Sequence, residues 1–163
     1  MERASLLRHL EPGFAHTECG GVSIGAWAIA PTTAHLDILA ETQRRIVKEH
    51  PAGLGVVNVL VGIPAPSLDS RVRERSESMI RTFAPSIVAI ATVVEAQGFF
   101  ASAVRGLLLS QRLVSRSRYA DSVFDRVESV PAWMAQYAPG IASNEQQTAL
   151  LAALRAARDA LAT

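Results

Sequence analysis

A chain of 163 residues, 49% of them apolar and with a formal charge of only +1, is long enough to bury one core and too apolar for disorder. The near-neutral balance argues against a dedicated nucleic-acid surface, which would show a strong basic excess. The single cysteine, Cys19, excludes an intrachain disulfide and a cysteine-based zinc site. The β-branched apolar stretch between Arg81 and Glu95 is short of the roughly 18–20 residues of a membrane span, and charges interrupt the first ten residues before a signal-peptide core forms. A soluble cytoplasmic protein without membrane or nucleic-acid partners is expected.

Residues 3–10 predict a short helix with Leu6, Leu7 and Leu10 on one side and Pro12-Gly13 as its stop. Residues 14–19 and 22–30 read as two strands. Gly20-Gly21 between them is a hairpin signal, because two-residue turns need positive φ and glycine supplies it. After Pro31, Thr32 or Thr33 caps a helix whose buried stripe is Leu36, Leu39, Ile46 and Val47. Asp37, Glu41, Arg45 and Lys48 lie on its outer side, with Glu41 and Arg45 spaced for an i,i+4 pair, and His50-Pro51 ends it. Residues 54–61 are apolar almost throughout and predict a central strand. A proline-stiffened loop over residues 62–67 leads into a helix from about Leu68, with Leu68, Val72, Met79 and Phe83 facing inward.

The stretch around which the chain is organised spans residues 86–115. Its β-branched run over residues 86–95 reads as a strand buried on both faces. Gly98 marks a turn, after which Phe100, Val104, Leu107 and Val114 share one side of a helix. Residues 122–125 form a short strand, and Ser129 caps a helix carrying Val130, Trp133, Met134 and Tyr137, with Pro131 tolerated in the first turn. Ser143 and Gln146 are spaced as a capping box and open an alanine-rich helix with Leu150, Leu151, Leu154 and Leu161 on one stripe. No internal repeat appears. The expected organisation is a short N-terminal helix over residues 1–11, an α/β domain over 12–140, and an amphipathic helix over 141–163. That last helix either docks on its own domain or pairs with a second copy.

The loudest catalytic motif is Gly21-Val22-Ser23-Ile24-Gly25, a match to G-x-S-x-G. A nucleophile elbow needs a strand, a sharp turn and then a helix. Here the motif opens a strand, so turn geometry explains its glycines, and a serine hydrolase ranks last. Residues 53–58 lack the third glycine of a dinucleotide fingerprint. His35 and Asp37 stand two residues apart on a helix and point to different sides, which is poor geometry for a metal pair. No cofactor, metal or catalytic activity is therefore expected. In an open α/β sheet, ligands favour the carboxyl ends of the parallel strands. That edge gathers Ser67, Asp69 and Ser70 with Glu95, Gln97, Gly98 and Phe99, a crevice suited to a small apolar or amphipathic ligand.

The β-β-α-β-α-β-α-β-α order resembles the STAS domain, and more closely the STAS-like (sporulation antagonist-like) proteins of bacteria. Three stretches carry the resemblance: residues 87–95, residues 98–105 (Gly98-Phe99-Phe100-Ala101-Ser102-Ala103-Val104-Arg105), and residues 123–133, which end Val130-Pro131-Ala132-Trp133. The resemblance implies a mixed five-stranded sheet with helices packed on it and a non-catalytic module that binds a protein partner. It also implies a switch serine at the start of the helix after the third strand, in an Asp-Ser-Gly-like context. That place holds Pro66-Ser67-Leu68-Asp69-Ser70-Arg71, in which Arg71 replaces the glycine. A phosphate there would bring about −1.5 to −2 of charge to a helix N-terminus, where negative charge is favourable.

Overall fold

The structure, a computed structural model, describes residues 7–62, 69–95 and 119–162. Among these residues six strands form one mixed sheet in chain order: β1 (His9–Glu11), β2 (Phe14–Cys19), β3 (Val22–Trp27), β4 (Leu54–Leu60), β5 (Ile87–Val94) and β6 (Ala120–Phe124). β1, β2 and β3 pair antiparallel, while β3 to β6 run parallel. Among the described residues four α-helices accompany them: α1 (Thr33–Glu49), α2 (Ser70–Phe83), α3 (Val130–Met134) and α4 (Asn144–Asp159), with 3-10 turns at Val127–Ser129 and Pro139–Ile141. The expected α/β class holds. The helix expected after Gly98 lies outside the described residues.

The count of five strands is corrected to six, and the N-terminal helix is corrected at its end. His9–Glu11 is a strand because Pro12-Gly13 does not stop a helix but turns the chain back on itself. Gly13 has a φ of +82°, and Glu11 pairs directly with Phe14. Proline followed by a glycine of positive φ is a turn arrangement that closes such a hairpin. At Gly20-Gly21 both residues have positive φ, as a two-residue β2–β3 turn requires. The turn also needs glycine for space, since a Cβ on Gly20 would meet the Gly140 carbonyl oxygen at 2.6 Å. The β2–β3 hairpin is thereby seated against the Pro139–Ile141 turn.

Helix boundaries follow their caps. The Thr32 hydroxyl accepts from the His35 N–H, and His50 closes α1. Ser143 and Gln146 form the expected capping box at α4. Ser129 precedes α3 but makes no side-chain cap bond, and Pro131 occupies the first turn instead. The expected Glu41–Arg45 pair is replaced by other partners. Arg45 reaches across to Glu18 on β2 at 2.6 Å and along the helix to Glu49 at 3.8 Å.

Helices cover the sheet on both faces. On one, α3 and α4 pack Val130, Met134, Leu150, Ala153, Leu154 and Ala157 against Val22, Ile24, Val57, Val59, Ala89 and Val93. The C-terminal helix thus docks on its own domain. On the other, α1 and α2 pack Leu36, Leu39, Ile46, Val72, Met79 and Phe83 against Phe14, Trp27, Leu54 and Ile87. β5 corrects the expectation of burial on both faces. Ala89, Ala91 and Val93 are sealed under the α3–α4 side, whereas Ile90 and Thr92, which alternate with them, are only half-buried between the buried Ile87 and Val94. Among the described residues no helix is long and apolar enough to cross a membrane.

Candidate functional site

The carboxyl edge of the parallel strands collects the start of α1, the start of α2 and the end of β5. At α2, Asp69 is the N-cap: its Oδ1 accepts from the Arg71 N–H at 2.7 Å and its carbonyl from the Arg73 N–H at 3.0 Å. A short carboxylate in this position satisfies a first-turn donor that the helix cannot. Ser70 is the first helical residue and is exposed. Arg75, one turn on, bonds Asp37 of α1 at 2.8 Å and fixes α2 beside α1. Ser67, Gln97, Gly98 and Phe99 lie outside the described residues.

Glu95 has a different role from the crevice ligand expected of it. Its Oε1 accepts from the Val127 N–H at 3.1 Å and from Arg158 Nη1 of α4 at 3.4 Å. The carboxylate ties the end of β5 to the Val127–Ser129 turn and to the C-terminal helix. Arg158 also binds Asp159 at 2.8 Å and approaches Glu128 at 3.8 Å, while Arg155 holds Glu128 at 3.1 Å. Glu128 is held below the usual carboxylate range, first by its own backbone N–H, with Arg155 and Arg158 adding to it. Glu95 is a clasp between elements.

Ser23 is 1% exposed, lies mid-sheet between Glu18 of β2 and Val56 of β4, and among the described residues its hydroxyl has no hydrogen-bond partner. A nucleophile needs a base within hydrogen-bond reach and a path for substrate. Among the described residues Ser23 has neither, and the G-x-S-x-G reading is set aside.

A polar cluster that sequence reasoning missed sits where β1, β2 and α1 meet. Thr32 N–H can only donate, so His35 Nδ1 accepts it at 3.1 Å. Nε2 of His35 therefore carries the proton and donates to Glu11 Oε1. The other oxygen of Glu11 takes His9 Nε2 at 3.2 Å. These hydrogen bonds, from His35 first and then His9, hold the Glu11 carboxyl below its ordinary range. The rings of Phe14 and His35 stack at 4.5 Å, as do those of Phe14 and Trp27. His16, two residues along β2 from Phe14, is also buried, with Nδ1 2.9 Å from the Ile24 carbonyl and Nε2 2.8 Å from the Thr42 hydroxyl. The local signal was present in part: alternation along β2 places Phe14 and His16 on one face, and His35 stands where a capping box normally carries Glu or Gln.

Among the described residues no group of three or more His, Cys, Asp and Glu side chains is disposed to hold a metal ion. The edge thus offers an exposed helix start at Ser70, a clasped carboxylate at Glu95 and a histidine corner at β1. Comparison with family models, with curated proteins and with solved structures yields no match to this chain.

Proposed function

We propose that this chain is a non-catalytic, cytoplasmic, STAS-like regulatory module that binds a protein partner at the start of α2. The observation that carries this reading is the placement of Ser70: it is exposed, in the first turn of α2, directly behind the Asp69 cap. A phosphoryl group there would meet the positive end of the helix dipole. It would also crowd the Asp69 carboxylate, so modification would rewrite the charge of this edge. The strand order, an antiparallel hairpin leading into parallel β-α-β-α-β, lends further support.

The test is recovery of the protein from its own cells with phosphosite mapping, alongside partner capture by the wild type, Ser70→Ala and Ser70→Asp. Phosphate on Ser70, and a partner that distinguishes Ser70→Ala from Ser70→Asp by tenfold or more in affinity, is the expected result. An identical partner set for all three proteins, with Ser70 unmodified, overturns it.

A second reading, a small amphipathic ligand held against the sheet, draws on one observation. Val56, Asn58, Leu60, Ile90 and Thr92 of the inner strands β4 and β5 are only half-buried on the α1–α2 side. The clasped Glu95 gives it no polar anchor.

A further inference from the structure

The α1–β1–β2 corner contains three of the four histidines of the chain, His9, His16 and His35, although they are far apart in sequence. His9 and His16 are direct cross-strand partners. His9 and His35 share the two oxygens of Glu11. His16 has no carboxylate of its own. It bridges β2 to β3 through the Ile24 carbonyl and to the middle of α1 through Thr42.

The hydrogen bonds of His16 assign its neutral form. The Ile24 carbonyl only accepts, so Nδ1 carries the proton and Nε2 accepts from the Thr42 hydroxyl. A second proton would reverse the Thr42 bond and place a charge at a site 1% exposed to solvent. The groups that act on such a charge are His9 from β1, Glu18 from β2 and Arg45 from α1, while β3 presents Ile24 and Gly25 at this level. Glu18 is already committed, bonded to Arg45 at 2.6 Å and to Arg8 at 3.2 Å. His9 stands directly opposite, and like charges facing each other across two strands repel. The imidazolium would therefore find no free counter-ion, and the connection it strains is the one between β2 and α1.

We propose that this corner is a proton-operated joint, in which acidification through the histidine range frees α1 and β1 from β2 while the inner strands β4 and β5 stay closed. Burial already holds the His16 ring below the ordinary histidine value, outweighing the Ile24 carbonyl and Glu18, which favour the charged form. An open state in which the ring is solvated takes the proton more readily, so each step down in pH favours opening. One pH unit below the ordinary value of 6.5, the gain in opening reaches up to about tenfold. Glu11 sets where the motion is felt, because β1 is held to α1 by Glu11–His35 and to β2 by three register pairs.

Native-state hydrogen exchange of the full chain at pH 7.5 and pH 5.5, corrected for intrinsic exchange, tests the joint. Protection in α1 and β1 is expected to fall by up to about tenfold at the lower pH, with β4 and β5 unchanged. His16→Gln, whose amide can donate to Ile24 and accept from Thr42, is expected to remove the pH dependence. The proposal is overturned if α1 and β1 are equally protected at both pH values, if β4 and β5 lose as much, or if His16→Gln behaves as wild type. Should that variant fail to fold, NMR of the His16 ring in the wild type decides. A ring that takes its proton in step with the loosening of α1 supports the joint, and a ring that stays neutral while α1 loosens overturns it.

Discussion

The two faces of the sheet are built from different chemistry. Under α3 and α4 the strands present Ala15, Val22, Ile24, Ala26, Val57, Val59, Ala89, Ala91 and Val93, all fully buried, with helix residues of similar size closing over them. Under α1 and α2 the same strands present Phe14, His16, Ser23 and Trp27, and then the half-buried Asn58, Ile90 and Thr92. Small and branched side chains let a helix approach a sheet closely and exclude water. Aromatic and polar side chains hold the layers further apart and leave groups that can change charge. One face therefore carries stability, and the other carries the groups that can respond to a proton or a ligand.

Truncation should expose this division most strongly. Leu154→Ala, at a fully buried position of α4, is expected to cost about 2–5 kcal/mol in denaturant unfolding, the range for a leucine removed from a close-packed core. Ile90→Ala, on the half-open face of β5, should cost no more than about half of that, because much of its surface is already in contact with water. Equal losses at the two positions would contradict the division.

The sealed face was largely legible in the sequence, and the other was not. Leu150 and Leu154 announce themselves by helical spacing behind the Ser143 capping box, and Gly20-Gly21 fixes the β2–β3 register by a local rule. Pro12-Gly13 serves equally well as a helix stop and as a hairpin turn, so the local pattern does not select a strand at β1. The choice is made by β2, which offers an edge for His9–Glu11 to join. Glu95 was placed at the correct strand end, yet its partners Val127 and Arg158 come from 32 and 63 residues away, a separation that no local pattern encodes. The histidine corner is legible only in its local parts for the same reason, since Glu11 and His35 become neighbours only when β1 folds back over the start of α1.

Acid should act on the polar face in two stages. His16 has a folded value below 6.5 through burial. Its contribution is fully present above 6.5 and is lost as pH falls from there toward the folded value, at up to about 1.4 kcal/mol per pH unit. Glu11, held below 4.5 by His35 and His9, contributes above 4.5, and that contribution is lost as pH falls through its lowered value. A plot of Tm against pH should therefore show a plateau above about 6.5, a first decline below it and a further decline below about 4.5. Glu11→Gln should shrink the second decline, to which the likewise lowered Glu128 also contributes, and leave the first. A single decline confined to the carboxylate range would show that His16 bears no strain in the folded protein.

The smallest effect belongs to Ser23, and its sign is informative. Its hydroxyl is buried on the α1 side of β3 without a partner among the described residues, a state that costs about 1–3 kcal/mol relative to a satisfied group. Ser23→Ala removes the oxygen while keeping the Cβ, so unfolding free energy should rise by roughly 0.5–1 kcal/mol and Tm by a few degrees. A loss of stability instead would mean that the hydroxyl is satisfied by an enclosed water, since a buried polar atom of this kind is the usual seat for one. That outcome would sharpen the contrast between the faces: the layer under α1 would be wet as well as polar, while the layer under α4 stays dry.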